Sequence, residues 1–238
     1  MNRHIGIAAV SAEGAALCYR TICAEGPATL GRHAHPEVSV HTYPLSDYMV
    51  HIDAGRWDDV GAMLLSSGEK LRAAGADFAI CPDNTAHQGL DLVRARSPIP
   101  WLHIGEEVAA AAAREGFRRV LVLGTRYLME GPVYPRALGA AGIAHEIPDA
   151  PTRERINTFT FDELVNGRFE APARDYFVGV IRGFRDRGGD AVGLCCTEFP
   201  LLVSPADSPL PILDSTRLLA RAALREATRS RDRTKERC

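Results

Sequence analysis

Two stretches of this chain are written on one template and end on different chemistry. The first runs Gly75-Ala76-Asp77-Phe78-Ala79-Ile80-Cys81-Pro82-Asp83-Asn84-Thr85, the second Gly188-Gly189-Asp190-Ala191-Val192-Gly193-Leu194-Cys195-Cys196-Thr197. Each reads as a glycine that stops a helix, an aspartate, a short apolar strand and a polar tip ending in threonine. Six residues after its aspartate, the first copy carries Asp83 and the second Cys196. The copies extend further, because Ile99-Pro100-Trp101-Leu102 follows the first tip and Leu210-Pro211-Ile212-Leu213 the second. Each half also opens on an apolar run, Ile5 to Val10 or Val120 to Gly124. A repeat of roughly 110 residues is too long for a solenoid unit and is the size of a domain. The expected fold is α/β, with two similar domains related by a pseudo-dyad, each a short mainly parallel sheet flanked by helices.

Strand-like runs alternate with helix-like stretches, the pattern of parallel βαβ units. Helices are expected over 13–24, 57–74, 87–96, 104–115, 129–141 and 173–187, with Gly75, Gly116, Gly142 and Gly188 as stops. Ser215 is the expected N-cap of a last helix ending near Ala227. The first domain is placed at 1–103 plus 216–228 and the second at 104–215. Residues 229–238 are charged and expected to form a loose tail. The segment from Asp149 to Ala173 is the least regular and reads as a lid over a site or as a connector with one short helix.

The formal net charge of −2 implies no nucleic-acid or membrane partner. No apolar run approaches the roughly 18 residues of a membrane helix. Met1-Asn2-Arg3-His4 enters a strand at once, so no signal peptide is expected. Six cysteines, two of them adjacent, do not read as a disulfide framework, and a cytoplasmic location is expected. Lysine occurs only at 70 and 235, which argues against Schiff-base chemistry.

In parallel α/β sheets ligands sit beyond the carboxyl ends of the strands. Asp83-Asn84-Thr85 and Cys196-Thr197-Glu198 occupy two such ends. Asn84, Thr85 and Thr197 supply donors suited to a carboxylate. An aspartate and a thiol flanking one carbon could take a proton from one side and return one from the other. The plainer alternative makes Asp83 a helix cap and Cys196 a small buried residue. Cys81 and Cys195 are expected inside their strands, and Cys18 and Cys23 on a helix. Neither histidine spacing nor the Cys195-Cys196 pair suits a metal, so none is expected. Gly124-Thr125-Arg126 lacks the glycine pattern of a nucleotide site.

These motifs together resemble the aspartate/glutamate racemase superfamily, the cofactor-independent two-cysteine isomerases, over nearly the whole chain. Ile5-Gly6-Ile7 leading to Ser11-Ala12-Glu13 is similar to its opening turn, and Asn84-Thr85-Ala86-His87 to the tail of its Cys-Asn-Thr-x-His motif. Leu121 to Arg126 is similar to its Leu-Gly-Thr turn, and Cys196-Thr197-Glu198 to its Gly-Cys-Thr-Glu motif. The resemblance implies racemisation or epimerisation of an amino acid without cofactor, and a homodimer. It implies Asp83 and Cys196 as the catalytic pair, with Ser11, Asn84, Thr85, Thr125, Thr197 and Glu198 around the substrate.

The chain departs from that pattern where the first cysteine belongs, because Asp83 stands there. Asp47 to Ile52 offers no arginine or glutamine for a side-chain carboxylate, which leaves Arg168 as the candidate and a neutral or aromatic substrate side chain as an alternative. Two other functions fit the same residues. One is a lyase or decarboxylase that uses a single thiol, the other a non-catalytic carboxylate-binding protein.

Overall fold

The computed structural model describes residues 2–229. In the first half, β1 (Ile5–Ala9) leads to α1 (Ala12–Glu25), a single turn α2 (Pro27–Leu30), β2 (Val38–Thr42), α3 (Leu45–Asp53) and α4 (Trp57–Ala73). Then come β3 (Phe78–Ile80), α5 (His87–Val93), β4 (Trp101–Leu102) and α6 (Ile104–Arg114). The second half runs β5 (Arg119–Leu123), α7 (Arg126–Met129), α8 (Val133–Ala140), β6 (Ala144–Glu146), α9 (Ala150–Asp162) and α10 (Ala171–Asp186). It closes with β7 (Ala191–Leu194), α11 (Phe199–Leu202), β8 (Ile212–Asp214) and α12 (Ser215–Thr228). The strands form two four-stranded sheets, ordered β2-β1-β3-β4 and β6-β5-β7-β8. Every pairing is parallel, and the two orders are the same, as the repeat requires.

Helices cover both faces of each sheet, which is why the central strands are continuous apolar runs. Along β1 the side chains alternate between two cores. Ile5, Ile7 and Ala9 meet Cys18 and Ile22 of α1 and Leu219, Ala220 and Ala223 of α12. Ala8 packs with Tyr48, Ile52, Val60 and Leu64 of α3 and α4. In the second half Leu121 and Leu123 face Phe177, Ile181 and Phe184 of α10, while Val120 and Val122 face α6 and α8. The chain thus returns at α12 to the core of the first sheet, where Arg221 clasps Glu25 at 2.8–3.1 Å.

The paired aspartates do equivalent work. Asp77 accepts the His4 N–H at 2.8 Å, just before β1. Asp190 accepts the N–H groups of Arg118 and Arg119 at 2.6 and 2.9 Å, at the start of β5. Each therefore locks the central strand beside its own, and fixes the level at which both strands end. Gly75 and Gly188 precede them with φ of 95° and 81°, a turn that side chains with a Cβ resist.

Three expectations need correction. The helix expected over 129–141 is broken into α7 and α8 at Gly131-Pro132, because proline lacks the donor a continuous helix needs. The cap of α12 is Asp214, whose carboxylate accepts the Arg217 N–H at 2.9 Å. Ser215 instead donates its hydroxyl to the Leu194 carbonyl at 3.1 Å. The segment after Asp149 is a full helix, α9, capped by Asp149 itself, which accepts from the Thr152 N–H. From residue 230 onward the expected tail lies outside the described residues. Among the described residues, no helix is long and apolar enough to cross a membrane.

Candidate active site

The carboxyl ends of both sheets open on one pocket between the halves. Asp83, Asn84 and Thr85 line it from the first tip, and Cys195, Cys196, Thr197 and Glu198 from the second. Ser11 and Thr125, each capping the helix after a central strand, also reach it. Ser11 accepts from the Gly14 N–H at 3.2 Å, and Thr125 lies 3.3 Å from Thr85 hydroxyl to hydroxyl, across the two halves.

The first tip is held from behind. His87 is fully buried on α5. Its Nε2 accepts the Ile104 N–H at 3.2 Å, so its Nδ1 carries the hydrogen and donates to the Asp83 carbonyl at 2.7 Å. Burial foremost, then the neighbouring His103, holds its imidazole well below the usual histidine range, and so neutral. Asp83 Oδ1 accepts the Ala86 N–H at 2.8 Å. Asp83 thus braces the turn that precedes α5, whose N-cap is Ala86, while lining the pocket as an acid. Burial lifts its carboxyl to about 6; the Ala86 N–H works against that rise, and the nearby Glu198 adds to it.

The second tip is arranged differently. The Cys196 thiol donates to Glu198 Oε2 at 2.9 Å, and the Thr197 hydroxyl donates to the same oxygen at 2.8 Å. Burial pushes the Cys196 thiol well up; repulsion by Glu198, its hydrogen bond to that carboxylate and the Asp83 charge push the same way. Cys196 is thus a neutral thiol at pH 7. Cys195 points to the opposite core, and burial lifts its thiol to about 12.

Asn84 lines the pocket, but its side chain serves the joint between halves. Its Oδ1 accepts from Tyr134 at 2.7 Å and its Nδ2 donates to Ser215 at 3.1 Å. Since Ser215 bonds the Leu194 carbonyl, this buried chain of contacts links both tips. Arg168 is not part of the pocket. It is exposed after α9, and its guanidinium donates back to the Asp162 carbonyl at the end of that helix.

Sequence reasoning missed the pocket's apolar wall. Leu45, Met49 and Ile52 come from α3, and Phe161 and Val165 from α9 and the turn after it. The signal for α3 was present, as those three residues recur at helical spacing. Phe161 and Val165 lie in the segment read from sequence as a lid or a connector, but its mix of threonine, asparagine and arginine has no clear period to single them out. Tyr127 closes one side, donating its hydroxyl to Asp53 of α3 at 2.8 Å.

Close approach matters at Gly14, in the first turn of α1. A Cβ there would lie 2.4 Å from the Pro82 carbonyl and 2.8 Å from Thr197 Cγ2. Both neighbours belong to the tips. Gly14→Ala is expected to cost about 1–3 kcal/mol in a denaturant melt, the usual penalty for overpacking. An unchanged melt would show that α1 can move off the tips freely.

A family model described as Asp/Glu/Hydantoin racemase matches residues 7–223. The broad specificity amino-acid racemase RacX of Bacillus subtilis (strain 168) is 22% identical over 174 residues, covering 70% of this chain and 72% of that protein. The structure of a candidate Asp/Glu racemase from Yersinia pestis superposes with a TM-score of 0.88 at 29% identity, covering 94% of this chain and 99% of that one. An aspartate racemase homologue from Pyrococcus horikoshii OT3 gives 0.82 at 25% identity, covering 95% and 99%. The matched residues span both halves of the chain.

Proposed function

Because this chain belongs to the Asp/Glu/hydantoin racemase family, we propose that it is an amino-acid racemase or epimerase in which Asp83 and Cys196 exchange the α-hydrogen. One observation carries this reading. Two strand tips in matching register present a carboxylate and a neutral thiol to one pocket. With its carboxyl lifted to about 6, Asp83 is mostly ionised at pH 7 yet more basic than an ordinary aspartate.

Asp83 removes the α-proton from one face. The bond's electron pair moves toward the substrate carboxylate, where the hydroxyls of Ser11, Thr85 and Thr125 are placed to donate. Cys196 then delivers its thiol proton to the opposite face of the carbon. The turnover leaves Asp83 protonated and Cys196 as thiolate, beside Glu198. The same pair can run the reverse reaction from that state, or reset by exchanging protons with solvent. No metal or organic cofactor is needed for these steps.

The resting enzyme therefore holds its base on one side only. Single-turnover exchange in heavy water, run separately on each enantiomer, tests this. One enantiomer is expected to incorporate deuterium at least about tenfold faster in the first turnover, since only one face meets a ready base. Equal initial rates would remove the one-sided pair. Release of carbon dioxide from a carboxylate substrate would move the assignment to a decarboxylase.

A further inference from the structure

We infer that the substrate of this pocket carries an uncharged, apolar side chain, aliphatic or aromatic, rather than a second carboxylate. The assignment rests on the proton-exchange reading above for its reaction, but it draws on different residues. Leu45, Met49 and Ile52 present one face of α3 to the pocket, and Phe161 and Val165 close it from the other half. Leu45 is 46% exposed, Phe161 37% and Val165 49%. Apolar surface gathered on two sides of one cleft favours a ligand that covers it.

The charges point the same way. Among the described residues that line the pocket, the charged ones are Asp83 and Glu198, and both are acidic. Arg56, Arg168, Lys70 and Arg126 do not line the pocket, and each is engaged elsewhere. Arg56 holds Asp59 at 3.0 Å and the Val50 carbonyl at 3.2 Å. Arg168 is bound to the Asp162 carbonyl, and Lys70 donates to the Tyr43 hydroxyl at 2.7 Å. Arg126 lies over the Tyr127 ring and 4.0 Å from Glu154. A side-chain carboxylate would enter without a partner and against two like charges, losing its hydration in the process. The substrate ammonium, by contrast, is attracted by Asp83 and Glu198.

The test compares leucine, methionine and phenylalanine with aspartate and glutamate in heavy-water exchange. The apolar substrates are expected to show kcat/KM at least about a thousandfold higher, beyond the roughly 10–200-fold that a single methylene can give. Calorimetry with 4-methylpentanoate and succinate, which lack the amino group, is expected to favour the first by at least about tenfold. Leu45→Arg, at the exposed first residue of α3, is expected to narrow the exchange ratio by at least about tenfold by supplying a cation. Phe161→Ala is expected to narrow it from the apolar side. Aspartate or glutamate exchanging as fast as leucine overturns the inference, as does a ratio that both variants leave unmoved. If no amino acid exchanges while 4-methylpentanoate still binds selectively, the two-base reading fails and the side-chain assignment stands.

Discussion

Asp83→Asn and Cys196→Ser are each expected to lower α-proton exchange by about 10²–10⁴-fold, the usual contribution of a positioned acid or base. The amide introduced by Asp83→Asn cannot accept a proton at accessible pH, although its oxygen can still accept the Ala86 N–H that Asp83 accepts at 2.8 Å. A serine hydroxyl is a much weaker acid than a thiol, so it returns the proton poorly. The other cysteines provide the controls. Cys18 and Cys81 are buried in the first half's cores, and Cys23 lies on α1 outside the pocket. Their alanine variants are expected to keep most of the activity per folded molecule. Full exchange in Cys196→Ser would transfer the acid role elsewhere. The pH profile separates the two directions. From the enantiomer whose hydrogen faces Asp83, the exchange rate at saturating substrate is expected to fall below about pH 6, where that carboxyl becomes protonated. From the other enantiomer the base is a thiolate whose formation burial and Glu198 oppose, so the rate is expected to climb with pH beyond neutrality.

Asp83→Asn is also expected to stabilise the fold at pH 7, by on the order of 2–3 kcal/mol, or about 4–12 °C in Tm. The carboxyl rises from an ordinary 3.8 to about 6 in the folded protein, chiefly through burial. The folded state then binds the proton more tightly than the unfolded one. Stability contributed by this group is present below about pH 4 and lost as pH rises through about 6. Asparagine has no charge to bury, so its advantage is full above pH 6 and vanishes near pH 4. Thermal melts of both proteins from pH 4 to 8 measure it. A gain that does not depend on pH would mean that the Asp83 charge costs nothing where it sits. A residue that weakens the fold while abolishing turnover on removal is what a working base in a half-buried site predicts.

Much of this arrangement was legible because the repeat writes its punctuation twice. Gly75-Ala76-Asp77 and Gly188-Gly189-Asp190 each stop a helix and lock a neighbouring strand, and those backbone duties leave the same mark in sequence. Residues that act through tertiary contacts left weaker marks. Ser215 and Asp214 are both good caps, and only the reach of Ser215 to the Leu194 carbonyl decides between them. Arg168 carries the right charge for a carboxylate, but the carbonyls at the end of α9 are nearer than the pocket. Asn84 follows a motif that suggests substrate contact, yet Tyr134 and Ser215, far away in sequence, have claimed its amide. The apolar wall was hidden because Leu45, Met49 and Ile52 look like any core stripe until the opposite half supplies Phe161 and Val165.

The Tyr134–Asn84–Ser215–Leu194 chain is a hydrogen-bonded joint between the two halves. It sits directly behind both tips, one residue from Asp83 and close to Cys196 in sequence. Points near a rotation axis travel least. A small swing of one half about this joint would carry the rim, where Leu45 and Phe161 stand, through a long arc. The carboxylate and the sulfur, near the fulcrum, would keep their separation.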